Sequence, residues 1–533
     1  MSLKLYDTTL RDGSQCAGIS FSMRGKLEIA RRLDEVGIDY IEGGWPGSNP
    51  KDIEFFSEAK KINFKRSRLV AFGSTRRPNI SAKEDLNLHA ILEAGTRTAT
   101  LVGKSWPLHV REALNTTLEE NLNMIYDSIA FLKDEGMEVF FDAEHFFDGY
   151  HYDPEYAIKT LKAAEEAGAD TIVLCDTNGG NLPHQIEAAF KVVTSQLSVQ
   201  LGIHAHNDSE LAVANTLSGV RAGALQVQGT INGYGERCGN ANLCSIIPTL
   251  QLKMNYQLLS DAELKELSNL SYFISELANM PLNSSQPYVG RNAFAHKGGI
   301  HVSAIDKNPE TYEHISPDLV GNKRKVLVSE LAGKSNVISK ARELGLELKD
   351  QQETRELVKK VKELENEGYQ YEGAEASFQL LLRRLRGKRE ALFDLTSAKV
   401  IVDKRNQGEV LAEATIRLTI GGHEKHTAAA GDGPVNALDK ALRKALVTDY
   451  PVIKDIRLTD YKVRVIDARD GTSSRVRVLI ESQGFETSWS TVGVSPNIIE
   501  ASWQALVDSI EYGVLIKAGS LEASFDKVIA KID

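Results

Sequence analysis

Cysteine is scarce in this chain: Cys16, Cys175, Cys238 and Cys244 are the only four among 533 residues, and no two form a CxxC pair. That excludes a disulfide framework and a thiolate zinc site, and it predicts a reducing compartment. Long apolar runs are missing as well. None reaches the roughly 18 residues that a membrane span needs, and no charged-then-apolar leader opens the chain. The expectation is a cytoplasmic protein with no membrane partner. The third absence is an excess of basic residues. Lys and Arg number 63 against 73 Asp and Glu, a net charge of −10, which argues against nucleic acid or anionic lipid as a general partner while leaving room for a locally basic pocket. The rest of the composition, 42% hydrophobic and 26% charged, is that of an ordinary globular protein. At this length one core is not enough, and two to four domains are expected.

From Leu3 to about Met254, short apolar runs alternate with helix-length amphipathic segments, the rhythm of a parallel sheet with crossover helices. Strands are expected at Leu3–Thr9, Asp39–Gly43, Arg68–Phe72, Arg97–Val102, Glu138–Ala143, Asp170–Leu174, Val199–Ala205 and Leu225–Gly229. Eight such units over about 250 residues predict a (β/α)8 barrel, a TIM barrel, assigned to residues 1–256. Polar residues cluster after these strands: Arg11-Asp12, Glu42 to Trp45, Glu144-His145, Asp176-Thr177-Asn178, His204 to Asp208, and the Gly-rich stretch Asn232 to Asn240. In such barrels the catalytic face lies at the carboxyl ends of the strands, so these residues should converge on one mouth.

From 257 to 393 charged, helix-period sequence takes over, and a mainly helical linker region is expected. Leu357, Val358, Val361 and Leu364 recur at helical spacing among Lys and Glu, the stripe of a surface helix. Within it, Phe294-Ala295-His296-Lys297-Gly298-Gly299-Ile300-His301 places two histidines around a Gly pair where the backbone can turn sharply. Residues 394–533 carry an internal repeat. Strand-like Lys399–Asp403, a turn at Asn406-Gln407-Gly408, strand-like Val410–Ile420 and a helix opened by Gly433-Pro434 are matched by Lys462–Asp467, a turn at Asp470-Gly471, Arg475–Glu481 and a helix opened by Ser495-Pro496. Proline suits a first helical position, where its missing N–H has no intrahelical partner. A tandem βββα unit of α+β class, without a catalytic cluster, reads as a binding or dimerisation module.

The chemistry centres on Gly202-Ile203-His204-Ala205-His206-Asn207-Asp208. Two imidazoles at i and i+2 on a strand project from one face, half of a metal site; hydrogen-bonded core or acid/base equipment is the competing reading. The mouth adds Asp12, Asn240, Arg11, Glu144 and Thr177. This mixed N/O set suits Mg²⁺ or Mn²⁺, with Zn²⁺ as the alternative. Such an ion would hold an α-keto acid and polarise its ketone. Arg11 could stabilise the alkoxide, and an anionic Glu144 could fix that guanidinium by a bidentate pair.

Three motifs then carry a resemblance. Asp7-Thr8-Thr9-Leu10-Arg11-Asp12-Gly13, His204-Ala205-His206-Asn207-Asp208 and Gly233-Tyr234-Gly235-Glu236-Arg237-Cys238-Gly239-Asn240 resemble the signatures of the 2-isopropylmalate, homocitrate and citramalate synthases. The likeness runs end to end, and the C-terminal repeat looks like the leucine- or isoleucine-sensing domain of those enzymes. The citramalate branch fits best, helped by Glu42-Gly43-Gly44-Trp45-Pro46-Gly47-Ser48-Asn49-Pro50-Lys51-Asp52. The resemblance implies a cytoplasmic homodimeric acyltransferase that condenses acetyl-CoA with pyruvate and hydrolyses the thioester, in isoleucine biosynthesis under a branched-chain amino acid effector. It implies Asp12, His204, His206 and Asn240 as metal ligands, Arg11 and Glu144 as catalytic, and Thr177 on the carboxylate of the keto acid. His301 and Tyr312 would assist proton transfer from the acetyl methyl, reaching across from the partner subunit. Gly233 and Gly235 lie in the loop where barrels often bind phosphate, near acetyl-CoA.

Two departures stand out. The usual Asp-Gly-Glu-Gln is Asp12-Gly13-Ser14-Gln15 here, and Asp142 stands where a neutral pocket residue is expected. If Asp142 faces the pocket, its charge would repel a second carboxylate. Lys104 and His109, the nearest cations for a distal carboxylate, read as a solvated loop. The alternatives are 2-ketoisovalerate, 2-ketoglutarate, a lyase of the same superfamily, and a catalytically silent amino-acid sensor that kept the barrel.

Overall fold

The computed structural model describes residues 2–517 apart from 328–335, 337, 340, 342–350, 386–390, 405–409, 467–472 and 486. The two turns expected at Asn406-Gln407-Gly408 and Asp470-Gly471 lie outside the described residues. The chain forms two compact units, Met1–Phe294 with His314–Arg324, and Ala295–Glu313 with Lys325–Asp533.

In the first unit eight parallel strands close into a barrel in sequence order. They are β1 (Lys4–Asp7), β2 (Tyr40–Gly44), β3 (Arg68–Ser74), β4 (Thr98–Lys104), β5 (Glu138–Glu144), β6 (Thr171–Asp176), β7 (Gln200–Ala205) and β8 (Gln226–Gly229). β8 returns to β1 in the register Tyr6↔Gln228. Every expected strand is present. β1 is shorter than the apolar run because the Asp7 carboxylate accepts the Thr9 N–H at 2.9 Å and the Thr9 hydroxyl at 2.8 Å, turning the chain out of the strand. The connecting helices have caps that explain where they begin. Ser22 accepts from Gly25 N, Thr117 from Glu120 N and Asp153 from Tyr156 N, while Pro50, Pro107 and Pro154 stand at first helical positions. Their apolar stripes, such as Ile29, Ala30, Leu33 and Val36, are buried against the barrel.

The period of two along a strand sorts the barrel interior into layers. On β5, Phe141 and Ala143 belong to the core shared with the helices. Phe140 instead joins Tyr6, Tyr40 and Val70 in a separate inner cluster. Its ring meets Tyr40 edge-on at 5.0 Å. Asp142 and Glu144 follow on the same face toward the mouth.

The second unit holds a short parallel pairing of Ala295–His296 with Lys325–Val326 in the stretch expected to be mainly helical, and helices Gly299–Ile305, Gln351–Asn366 and Glu375–Leu385. The repeat is realised as two antiparallel three-stranded sheets, each followed by a helix. The first is Asp394–Lys404, Val410–Ile420 and His423–Gly431 with helix Pro434–Leu446, and the second is Arg457–Val465, Val476–Gly484 and Thr487–Ser495 with helix Ile498–Lys517. Central-strand residues Ala414, Ile416 and Leu418 pack in one core with Leu438, Leu442, Ile510 and Val514. No helix among the described residues is long and apolar enough to cross a membrane.

Because Phe140 is 2% exposed and fills the inner layer, Phe140→Ala is expected to cost about 3–5 kcal/mol. A urea titration followed by tryptophan fluorescence checks this. An unchanged midpoint for the barrel transition would mean that the layer is not packed.

Candidate active site

His204 and His206 are the inward residues at the end of β7, and Asp12 sits in the turn after β1, where the Ser14 hydroxyl donates to the Arg11 carbonyl at 2.6 Å. Their ligand atoms lie within 4.8 Å of one another, and all three residues are buried. Asp12 Oδ2 is 3.4 Å from His204 Nε2 and 4.0 Å from His206 Nε2, separations that suit donors around one ion at about 2.0–2.2 Å. Burial opposes ionisation of Asp12, but Arg11 and the two imidazoles outweigh it and hold the carboxyl down at about 2. His206 is pushed down to about 3 by burial and then by His204, so it stays neutral, the form that ligates a metal.

Asn240 completes the group from the loop after β8. His206 and Asn240 form an antiparallel bridge, and Asn207 N–H donates to the Gly239 carbonyl at 2.8 Å. The Asn240 amide lies 2.9 Å from Asp12 Oδ2 and 3.4 Å from His204 Nε2, while its Oδ1 is buried without a hydrogen-bond partner. Turning the amide over would place that oxygen among the other donors. These residues fit a divalent ion.

Gly233 and Gly235 serve this loop. A Cβ at Gly235 would stand 1.9 Å from Asn240 Oδ1, and one at Gly239 would stand 2.1 Å from the Gly233 carbonyl. Gly233 itself has φ +70, which favours glycine. Neither Gly233 nor Gly235 borders the cavity that Arg11, Asp12, Glu144, Thr177, His204 and His206 share, a space of about 370 Å³. The loop reaches that cavity through Glu236 and Arg237. Arg237 clasps Asp208 by two bonds of 2.8 and 2.9 Å and donates to the Thr177 carbonyl.

Arg11 is fixed otherwise than expected. Its Nε donates to Glu42 Oε2 at 2.6 Å, and its guanidinium lies 3.9 Å above the Phe72 ring. Glu144 does not hold it. The register of β4 and β5 pairs Lys104 directly with Glu144, and the two side chains form an ion pair. Glu42, on the strand next to Arg11, is fully buried and also accepts the Tyr6 hydroxyl at 2.7 Å. Burial works against the charge of Arg11, but Glu42 and Asp12 more than compensate and raise its pKa further. The signal for Glu42 was present in the sequence, since a carboxylate inside the apolar run Tyr40-Ile41-Glu42-Gly43 must be paired. Lys104 and His109 are likewise not a solvated loop. Lys104 is half-buried, and the His109 ring stacks on Trp106 at 5.1 Å and meets His145 at a tilt at 4.1 Å.

Thr177 Oγ1 accepts the His145 N–H at 2.9 Å, which leaves the hydroxyl proton free for the cavity. Asp142 lines the cavity, and burial, followed by the charge of Glu42, pushes its carboxyl up to about 8. Near neutral pH it is therefore mostly protonated, and it does not present the repelling charge expected of it. Gln228, which no sequence signal marked, lies between Asp142 and His204. His301 and Tyr312 belong to the second unit, where their rings stack at 4.1 Å.

Residues 2–274 match the HMGL-like family, 288–369 the homocitrate synthase post-HMGL domain-like family, and 372–514 the LeuA allosteric (dimerisation) domain. The chain is 55% identical to the (R)-citramalate synthase of Geobacter sulfurreducens over 98% of its own length and 100% of the relative. It is 56% identical to that of Aquifex aeolicus over 96% of itself and 97% of the relative. The 2-isopropylmalate synthase of Methanocaldococcus jannaschii, by contrast, is 32% identical over 95% and 93%. With a metal-type donor set at the mouth of an HMGL-like barrel and near-complete coverage of these relatives, the chain belongs to the (R)-citramalate synthase family.

Proposed function

We propose that the protein is an acyltransferase that joins acetyl-CoA to pyruvate in a Claisen-type condensation and hydrolyses the thioester, releasing citramalate and CoA. The observation that carries the reading is one cavity in which Asp12, His204 and His206 adjoin a guanidinium locked by a buried carboxylate. The coverage of the (R)-citramalate synthases supports pyruvate over the larger keto acids. The reading keeps the division into a catalytic barrel (1–256), a linker (257–393) and a sensing module (394–533), in a cytoplasmic enzyme.

Asp12, His204, His206 and Asn240 would hold the divalent ion, Mg²⁺ or Mn²⁺ by their mixed donors. When bound, it supplies Lewis acidity toward the ketone and carboxylate oxygens of the keto acid. The remaining steps fall to side chains. The acetyl methyl loses a proton, its carbon bonds to the ketone carbon, and the carbonyl electron pair moves to oxygen. Arg11, held by Glu42 and lying over Phe72, donates N–H to that oxygen as it becomes an alkoxide. The Thr177 hydroxyl donates to the carboxylate of the keto acid. The Lys104–Glu144 pair stands at the mouth for proton transfer to the alkoxide. His301 and Tyr312, reaching across from a second copy of the chain as the resemblance implies, would assist removal of the methyl proton. Water then adds to the thioester, and CoA leaves as the thiol.

The edge strands of the C-terminal repeat support the homodimer. Leu395, Ile401 and Val402 on one, and Val463 and Val465 on the other, are exposed apolar side chains on strands that a second copy would cover. Regulation by isoleucine is supported by a cavity of about 550 Å³ beside helix Pro434–Leu446. It offers Val435, Ile456, Leu458 and Tyr461 for an aliphatic side chain, and the Asp439–Arg443 ion pair lines its wall.

Three outcomes are expected. His206→Ala should lose most bound metal together with turnover, whereas Arg11→Lys should keep the metal and still lose about 100-fold or more in kcat, since lysine cannot fork between Glu42 and the alkoxide. Metal analysis beside a CoA-release assay separates the two, and a His206→Ala enzyme with normal metal content and turnover sinks the site. Values of kcat/KM should fall in the order pyruvate, 2-ketobutyrate, 2-ketoisovalerate, by roughly 5- to 150-fold between first and last. 2-Ketoglutarate should be unused because Lys104 is already paired. If 2-ketoisovalerate leads, the substrate is wrong and isopropylmalate synthesis replaces it. Calorimetry on the full-length enzyme should show isoleucine binding; no heat with any branched-chain amino acid ends the sensing assignment.

A further inference from the structure

A polar chain crosses the barrel interior below the mouth. Gln228, on β8 and fully buried, presents Oε1 to His204 Nδ1 at 2.9 Å. Its Nε2 donates to Asp142 Oδ1 at 3.0 Å, and Gln226 Oε1 lies 3.4 Å from the same nitrogen. Asp142 is 4% exposed and Gln226 2%. β5 and β8 are not neighbours in the barrel, so the Asp142–Gln228 bond spans the interior between strands that share no backbone ladder.

We propose that Asp142 and Gln228 are positioning residues that lock the tautomer of His204, holding its Nε2 lone pair toward the metal site. A carboxamide has one accepting and one donating end. With the carbonyl oxygen of Asp142 accepting at 3.0 Å and Gln226 Oε1 at 3.4 Å on the Nε2 side, turning the Gln228 amide over would set its oxygen against that of Gln226 and give up both contacts. Its Oε1 therefore faces His204, and an oxygen there requires the imidazole proton on Nδ1. A neutral imidazole carries one proton, so Nε2, 3.4 Å from Asp12 Oδ2, is left as the ligating nitrogen. His206 has no such guide: its Nδ1 is buried with no hydrogen-bond partner among the described residues. The protein thus pre-sets one of the two imidazoles of the site. Asp142 needs no negative charge for this, because the carbonyl oxygen of a protonated carboxyl accepts the Gln228 N–H equally well. Its raised pKa is consistent with that state.

The inference rests on the metal reading above, and the experiment separates the two. Mn²⁺ affinity of the full-length, metal-stripped enzyme is measured by calorimetry for wild type, H206A, Q228L, Q228E, D142N and D142L, with thermal melts to confirm folding. Q228L is expected to weaken Mn²⁺ binding about 10- to 100-fold. Q228E should stay within about threefold of wild type, because a carboxylate accepts the Nδ1 proton as an amide oxygen does. D142N retains an acceptor for the Gln228 amide and should match wild type, while D142L should lose about tenfold. A merely structural role gives the opposite order, since a glutamate placed in the barrel interior would damage packing more than an isosteric leucine. Should Q228L not fold, the D142L against D142N comparison reads the same relay one residue further from the site. Mn²⁺ binding that H206A abolishes, with Q228L and D142L both folded and equal to wild type, overturns the relay alone. Wild type that binds no Mn²⁺ removes the metal reading and the relay with it.

Discussion

The buried pair of Arg11 and Glu42 is the constraint around which the mouth of the barrel is built. Glu42 is fully buried, and its carboxylate takes the Arg11 Nε–H at 2.6 Å and the Tyr6 hydroxyl at 2.7 Å. Removing one partner would leave a charge in the barrel interior, at a cost of about 3–5 kcal/mol. Such a pair is not there for stability, since apolar residues of the same volume would serve as well or better. What it secures is direction. The guanidinium lies over Phe72, is tied at Nε and has Nη1 3.6 Å from Asp12 Oδ2, so where it borders the cavity it has little freedom left to lose when the reacting oxygen develops charge.

The period of two along each strand stacks this machinery on an inert base. Tyr6, Tyr40, Val70 and Phe140 form the apolar layer. The Tyr6 hydroxyl rises out of it to meet both Glu42 and Thr100, at 2.7 Å each. At the next level Asp142 and Gln228 reach His204, and at the mouth stand Asp12, Arg11, Lys104 and Glu144. Apart from His206 Nδ1 and Asn240 Oδ1, these polar groups have partners in the layer beneath or beside them, and much of the site inherits the rigidity of strands. The segment Gly233 to Asn240 is an exception, as is the turn that carries Arg11 and Asp12. The former reaches the ligand group from a loop, and three glycines let its backbone close on Asn240 while Arg237 pins it to Asp208.

The second unit follows a different economy. Its two βββα modules bury helices Pro434–Leu446 and Ile498–Lys517 in one core, with the central strand of each sheet alternating buried and exposed residues. The first strands of the two sheets, Asp394–Lys404 and Arg457–Val465, keep almost every residue exposed. Long edges of that kind invite pairing with another chain, in keeping with the LeuA allosteric (dimerisation) domain matched over 372–514.

The barrel, the tandem repeat and the His204–His206 pair were legible in the sequence because each is written in short-range pattern, and Asp12 joined the pair through the resemblance carried by Asp7 to Gly13. Alternation along a strand puts His204 and His206 on one face, eight apolar runs separated by helix-length segments close only one way, and Pro434 and Pro496 mark two equivalent helix starts. The partners of the charged groups were not legible. Arg11 meets Glu42 instead of Glu144, Glu144 meets Lys104, and Asp142 is joined to His204 through an unremarkable glutamine. Those pairings depend on which residues stand at the same height around a closed barrel. Height is set by strand register and closure across more than 200 residues of chain, and no local spacing encodes it. The side-chain types present were a property of the sequence, but their division into locked pairs and free donors was decided only when the eighth strand closed on the first.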